Sequence, residues 1–196
     1  MKILLWQEQN PTKGGAESWL DYLAHGLKDA GHEVAWLYSQ HIDIVIRDYK
    51  PDFVIIGTIH NFIGLQYAEI LAESQIPAAW MIHDYWPFCG PRMLMKDHNR
   101  SDQRCEANEG VCRNSCGGWH PVPEVIGKFY TVTGCQGAAD IMRRNGVRVD
   151  AVVEEGVDTS LFRAKPRKRI NGSITSHVAW TAPWKGMHIL DQAVSV

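Results

Sequence analysis

Two glycines stand near the N-terminus, where an apolar run gives way to a helical pattern. Gly14 and Gly15 follow the run ILLW at 3–6, and apolar residues recur at helical spacing from about residue 16. Glycines at such a turn let a ligand approach the unpaired amides of the helix, whose dipole favours phosphate or carboxylate. We therefore predict a binding loop at Gly14 and Gly15, and an ordinary turn is the alternative.

Two histidines follow apolar runs that read as strands. His83 comes directly after the run 78–82, and His60 follows the run 53–57. Ligands of parallel α/β sheets bind at the carboxyl ends of the strands, so we predict that His83 belongs to a site and that His60 lines the same cleft. The alternative for His83 is a hydrogen-bonded structural histidine. Asp84 either orients the His83 imidazole or caps the turn.

Four of the five cysteines fall in one loop-rich stretch, about 84–122. They are Cys89, Cys105, Cys112 and Cys116. Because disulfides are disfavoured in a reducing compartment and a loop with little core needs support, we predict a structural zinc site. His98 or His120 are alternative ligands; an iron–sulfur cluster, and thiols or disulfides without metal, also stay open. Cys135 opens a predicted helix and is expected to be an ordinary buried thiol.

Composition narrows the class of protein. The 196 residues suit one α/β domain, or one domain with a fragment of another. The net charge of -2 gives no bulk attraction to nucleic acid, and no apolar run approaches the length of a membrane span. The N-terminus turns polar too soon for a signal peptide, so we expect a cytoplasmic protein.

The apolar pattern alternates between strands and helices. Strands are predicted at 2–7, 33–38, 53–57, 78–82, 129–133, 150–153 and 174–181. Helices are predicted at 16–30, 61–74, 135–145 and from 186 on, with a short helix or loop at 40–49. This alternation predicts a Rossmann-like parallel sheet with helices on both faces, interrupted by the Cys-rich insertion at about 84–122. We expect one domain over 1–163, followed by a linker and the start of a second domain over 164–196.

Five short segments, taken in order, resemble a known family. They are GGAE at 14–17, GHEV at 31–34, IHDYW at 82–86, EGVD at 155–158 with Phe162, and WKG at 184–186 with Leu190 and Ala193. Together they resemble the N-terminal half of a retaining glycosyltransferase of family 4. That family has the GT-B fold, in which two Rossmann-like domains face each other.

The resemblance implies an activity and a set of roles. The enzymes transfer a sugar, with retention, from a nucleotide-diphosphate sugar to a glycan, lipid-linked or small-molecule acceptor. His83 matches a histidine near the transferred sugar, and Lys185 matches a basic residue that meets the donor diphosphate. The other expected substrate contacts are Gly14, Gly15, Glu17, His60 and Asp84. Glu17 also suits the helix dipole as a purely structural choice.

The sequence departs from the family in its last part. The paired-glutamate donor motif does not occur in these residues, and TAPW at 181–184 stands where an arginine is often found before Lys185. We therefore expect this chain alone to be inactive, and a non-catalytic glycan- or nucleotide-binding module is the alternative. The first turn lacks G-x-G-x-x-G, so no redox cofactor is expected. The basic run at 163–169 is predicted to be a solvated linker, with peripheral contact to an anionic membrane surface as the alternative.

Overall fold

A computed structural model gives the fold of the chain. It describes residues 1–7, 14–38, 41–59, 62–90, 92, 94, 105, 107, 110–112, 123–156, 159, 190 and 192–193. The linker and second domain predicted over 164–196 therefore lie almost wholly outside the described residues, as do the strand predicted at 174–181 and most of the insertion.

Six parallel strands form one sheet. They are β1 (Lys2–Trp6), β2 (Glu33–Leu37), β3 (Phe53–Ile56), β4 (Ala78–Ile82), β5 (Tyr130–Thr133) and β6 (Ala151–Val152). Their order across the sheet is β2-β1-β3-β4-β5-β6, and every neighbouring pair is parallel. The predicted α/β fold with a Rossmann-like parallel sheet is confirmed.

Helices flank this sheet. They are α1 (Gly15–Asp29), α2 (Ile42–Tyr49), α3 (Phe62–Glu73), α4 (Pro123–Ile126) and α5 (Gln136–Arg144). The short helix α4 has no counterpart in the sequence prediction, because four residues are too few to show a helical period. The others begin and end within a few residues of their predicted bounds.

The two faces of the sheet bury different side chains of β1. Ile3 and Leu5 pack with Leu20 of α1, whereas Leu4 and Trp6 belong to the larger core on the opposite face. This alternation follows from the two-residue period of a strand, and burial on both faces explains why β1 reads as a continuous apolar run.

The larger core also contains the start of the insertion. Trp86, Phe88 and Cys89 are buried in it, and Trp86 lies 5.8 Å from the ring of Trp80 on β4. We expected this stretch to have little core of its own. Trp86, Phe88 and Cys89 are instead held by apolar packing, which is worth about 2 kcal/mol for each large side chain buried.

Candidate functional site

The carboxyl ends of the strands form one edge of the sheet, where the predicted site residues were expected. The strand order reverses between β1 and β3, and ligands of open α/β sheets bind at such a switch point. Gln7 lies there, 1% exposed, and none of the described residues forms a hydrogen bond with its Nε2. His83 follows β4 at the same edge, further along the sheet.

His83 forms a hydrogen bond with Glu155 that joins the ends of two strands. The distance from His83 Nδ1 to Glu155 Oε1 is 2.8 Å, with the histidine side chain 11% exposed and the glutamate side chain 43% exposed. The pKa of Glu155 is lowered, and the largest cause is the hydrogen bond from His83. Burial of the carboxyl raises this pKa, and the charge of His83 lowers it further. Glu155 is thus ionised at neutral pH.

An ionised carboxylate can only accept hydrogen bonds, so His83 Nδ1 must carry the proton that it shares with Glu155. In the neutral imidazole, the other nitrogen, Nε2, is then a hydrogen-bond acceptor. Nε2 of His83 is buried, and no residue in the described part of the chain forms a hydrogen bond with it. A buried polar atom without a partner costs stability, and a catalytic role or a bound water or ion is among the features that account for such atoms.

Strand register brings the pair together although 72 residues separate them. Ile82, Thr133 and Val152 are aligned across β4, β5 and β6, and the Thr133 hydroxyl donates to the Ile82 carbonyl at 3.1 Å. Gly134 leaves room for the carboxylate, because a Cβ there would lie 3.2 Å from Glu155 Oε1. The geometry of the pair is therefore set by three adjacent strands.

Trp19 links α1 to this pair. Its ring meets the His83 ring edge-on, with centroids 5.5 Å apart and planes inclined by 65°. Sequence analysis identified neither Trp19 nor Glu155 as part of the site. Glu155 follows a predicted strand, as His83 does, and that position could have identified it as a site residue. Nothing in the sequence distinguishes Trp19 from the other apolar residues on its helix face.

A pocket of about 450 Å³ opens beside the pair. It is lined by Ile82, His83, Thr133, Gly134, Cys135, Ala138, Glu154 and Glu155. Cys135 is the N-cap of α5, and its sulfur accepts a hydrogen bond from the Ala138 amide at 3.4 Å. The prediction of a buried thiol was wrong: Cys135 is exposed, because the helix begins at the open edge of the sheet.

Residues of α1 itself contact Gly14, at the start of the predicted binding loop. Gly14 is the N-cap of α1, and its carbonyl accepts hydrogen bonds from the amide and the hydroxyl of Ser18. Glu17 is 8% exposed, and its carboxylate lies over Gly14, where any Cβ would overlap it. The acidic side chain thus stands at the positive end of the helix, in the region where the sequence suggested an external anion. Substrate contact by Gly14, Gly15 or Glu17 stays a prediction.

Asp84 caps the turn after β4. Its Oδ1 accepts a hydrogen bond from the Trp86 amide at 3.0 Å, while Glu155 bonds to the ring of His83. The remaining predicted substrate contacts, His60 and Lys185, lie outside the described residues.

Three of the four predicted metal ligands lie in or against the larger core. Cys89 and Cys105 are buried, and Cys112 is half-buried. The pKa of the Cys89 thiol is raised, mainly by burial. Hydrogen bonds from the backbone amides of Leu94 and Arg92 lower this pKa, whereas the charges of Cys105 and Cys112 raise it further.

The described part of the chain shows no group of three or more His, Cys, Asp or Glu side chains arranged to hold a metal ion. Cys116, His98 and His120 lie outside that part, so the zinc site stays a prediction.

In comparisons with known proteins, no family model and no curated protein matches this chain. Of the helices in the described ranges, none is both long enough and apolar enough to cross a membrane. The chemistry of the site therefore rests on its own residues.

Proposed function

We propose that this chain is the acceptor-side domain of a cytoplasmic, retaining glycosyltransferase with the GT-B fold. The observation that carries the proposal is the His83–Glu155 pair, which stands at the carboxyl edge of a parallel sheet. One ring nitrogen of His83 is buried there, without a hydrogen-bond partner among the described residues. The five segments that resemble family 4 support the same function, since the pair joins two of them.

The reaction breaks the bond between the anomeric carbon and the diphosphate of the donor. The acceptor hydroxyl oxygen forms the new glycosidic bond, its proton passes to the leaving diphosphate, and the nucleoside diphosphate departs. In this proposal His83 Nε2 accepts a hydrogen bond from a substrate hydroxyl, and Glu155 holds the imidazole in the tautomer that makes this bond. Lys185 is proposed to meet the diphosphate, where a cation stabilises the charge of the leaving group.

The proposal includes partners and organisation beyond the described residues. The donor is a nucleotide sugar, and the acceptor is a glycan, a lipid-linked sugar or a small molecule. Residues 164–196 are proposed to lead into the donor-binding domain. The basic run at 163–169 is a solvated linker, with peripheral contact to a membrane surface as the alternative.

A binding module without turnover is the second candidate. The observation that favours it is that the described residues lining the pocket, and the His83–Glu155 pair, all fall within residues 82–155. In this second candidate they hold a glycan or nucleotide without any donor-binding domain.

Release of nucleoside diphosphate separates the two candidates. The purified chain is incubated with UDP-, GDP- and ADP-sugars and a mixture of acceptors, alone and fused to the donor-binding domain of a family 4 enzyme. We expect no release from the chain alone, and release from the fusion that falls in His83→Ala but not in His25→Ala. His25 is a matched control because it is an exposed histidine on α1. A folded fusion with no release, or with equal release from His83→Ala, would contradict the enzyme.

The proposal also includes a structural zinc ion held by Cys89, Cys105, Cys112 and Cys116. Its support is that three of these thiols lie at one core, with Cys89 near the other two. A closed thiolate site supplies folding energy and no catalysis. Metal analysis should find bound zinc, and a chelator should expose the insertion to protease before the sheet melts. Metal-free protein with unchanged melting and protease resistance would contradict the site.

A further inference from the structure

A second pocket lies along α1, next to the His83 site. Its volume is about 510 Å³, which is within the range of ligand pockets. Trp19, Tyr22, Gly26 and Asp29 of α1 line it, together with Gly156. We call this pocket the α1 groove.

The α1 groove adjoins the His83–Glu155 pair at two points. Gly156 lines the groove and directly follows Glu155, which lines the pocket beside His83. Trp19 also lines the groove, and its ring centroid lies 5.5 Å from that of His83. A molecule longer than one sugar ring can therefore contact the His83 site and the groove together.

Gly26 keeps the α1 groove open, although neither its backbone nor its described surroundings require a glycine. It lies within α1, and a Cβ there would meet nothing within 4 Å. Glycine in the interior of a helix is unfavourable relative to alanine. Because Gly26 follows Tyr22 and precedes Asp29 by one helical turn each, its missing side chain leaves space between them. The groove thus exists at a cost to the helix, which indicates a ligand independently of the groove's shape.

The lining of the α1 groove suits a carbohydrate ring. Trp19 and Tyr22 present aromatic surface, with Tyr22 39% exposed, and Asp29 adds an exposed carboxylate. A sugar ring has an apolar C–H face that packs on an aromatic ring, and its hydroxyls donate hydrogen bonds to a carboxylate. Ligand pockets commonly combine aromatic surface with a few polar groups in this way.

We propose that the α1 groove binds a second sugar ring of the acceptor, so that the acceptor is a glycan chain of at least two sugar units. Trp19 and Tyr22 contact the apolar face of this ring, and Asp29 accepts hydrogen bonds from its hydroxyls. This inference rests on the proposed function, because it extends the acceptor that the enzyme holds at His83.

Pairs of probes that differ by one sugar ring test the inference: glucose and cellobiose, mannose and mannobiose, and N-acetylglucosamine and chitobiose. Binding to the whole chain is followed by NMR through the backbone amides of α1. We expect at least one disaccharide to bind about fivefold more tightly than its monosaccharide, an advantage typical of one aromatic contact. That disaccharide should shift the Gly26 amide, and the monosaccharide should leave it in place.

Two variants with matched controls assign the advantage to the groove. Gly26→Phe should fill the groove and remove the advantage of the disaccharide, whereas Gly26→Ala should keep most of it. Tyr22→Ala should reduce the advantage, and Tyr130→Ala, at an exposed tyrosine on β5, should not. Amide spectra that overlay those of the parent chain outside α1 show that each variant is folded.

Equal affinity within every pair, binding of none of the probes, or an advantage that survives in Gly26→Phe would overturn the inference. So would self-association that Gly26→Phe abolishes, because it would assign the groove to a second copy of the chain. The fusion assay of the proposed function is read separately. Sugar transfer to single sugars as readily as to their disaccharides would remove this inference and leave the enzyme. A disaccharide advantage at the groove without any transfer would support the groove and remove the enzyme.

Discussion

Removing the His83–Glu155 hydrogen bond should destabilise the fold by a small, measurable amount that depends on pH. The perturbation is a double-mutant cycle of His83→Ala, Glu155→Ala and the double variant. A hydrogen bond to a charged group is worth about 1.5–3 kcal/mol, but Glu155 is 43% exposed, so solvent screening reduces this toward the surface range. We expect a coupling free energy of about 1 kcal/mol at neutral pH.

The cycle separates the pair from the packing around it. His83→Ala also removes the edge contact with Trp19, and this loss cancels because it is present in both arms of the cycle. Urea unfolding followed by tryptophan fluorescence gives the free energy of each variant. Glu154→Ala is the matched control: it removes the neighbouring exposed carboxylate and should change stability by less than about 0.5 kcal/mol.

The pH dependence has a defined sign. The folded pKa of Glu155 lies below its ordinary value of 4.5, so its contribution to stability is fully present above that value. It is lost as the pH falls through the lowered folded pKa, where the carboxyl is protonated in both states. The carboxylate's contribution to the coupling should therefore be present at about pH 5 and above and disappear in stronger acid. A coupling of zero at neutral pH, or one that persists undiminished in strong acid, would refute the reasoning.

Three further substitutions test the structure. Gly134→Ala would place a Cβ 3.2 Å from Glu155 Oε1 and should shift the His83 ring resonances in NMR, whereas Gly137→Ala meets nothing within 4 Å and should leave them in place. Trp80→Ala, at a fully buried position, should cost about 3–5 kcal/mol in urea unfolding, against less than about 1 kcal/mol for the exposed Tyr130→Ala. Lys50→Gly should raise the urea midpoint slightly, by about 0.5 kcal/mol of stability, because Lys50 has a φ of 51°; an unchanged or lower midpoint would count against strain there.

Local sequence patterns predicted the elements well because short apolar runs and helical spacing reflect nearest neighbours along the chain. The strand at β1 reads as buried on both faces, and it packs on both. The glycine pair marks the start of α1, which begins at Gly15. His83 was identified because its position after a strand is itself a local feature.

Long-range contacts decided the rest. Nothing near Glu155 in the sequence indicates a contact with a histidine 72 residues earlier. Cys135 read as buried because cysteine usually is, but exposure depends on which edge of the sheet a helix starts from.

The sequence alone determined the kinds of element, their order and one histidine at a strand end, because these follow from periodicity and turn chemistry. Only the tertiary structure decided what that histidine contacts. The parallel register of β4, β5 and β6 places Glu155 against Nδ1, and Gly134 leaves space for the carboxylate. Burial of Nε2, which has no hydrogen-bond partner among the described residues, is likewise a property of the packed sheet, since it requires residues from separate parts of the chain to meet at one edge.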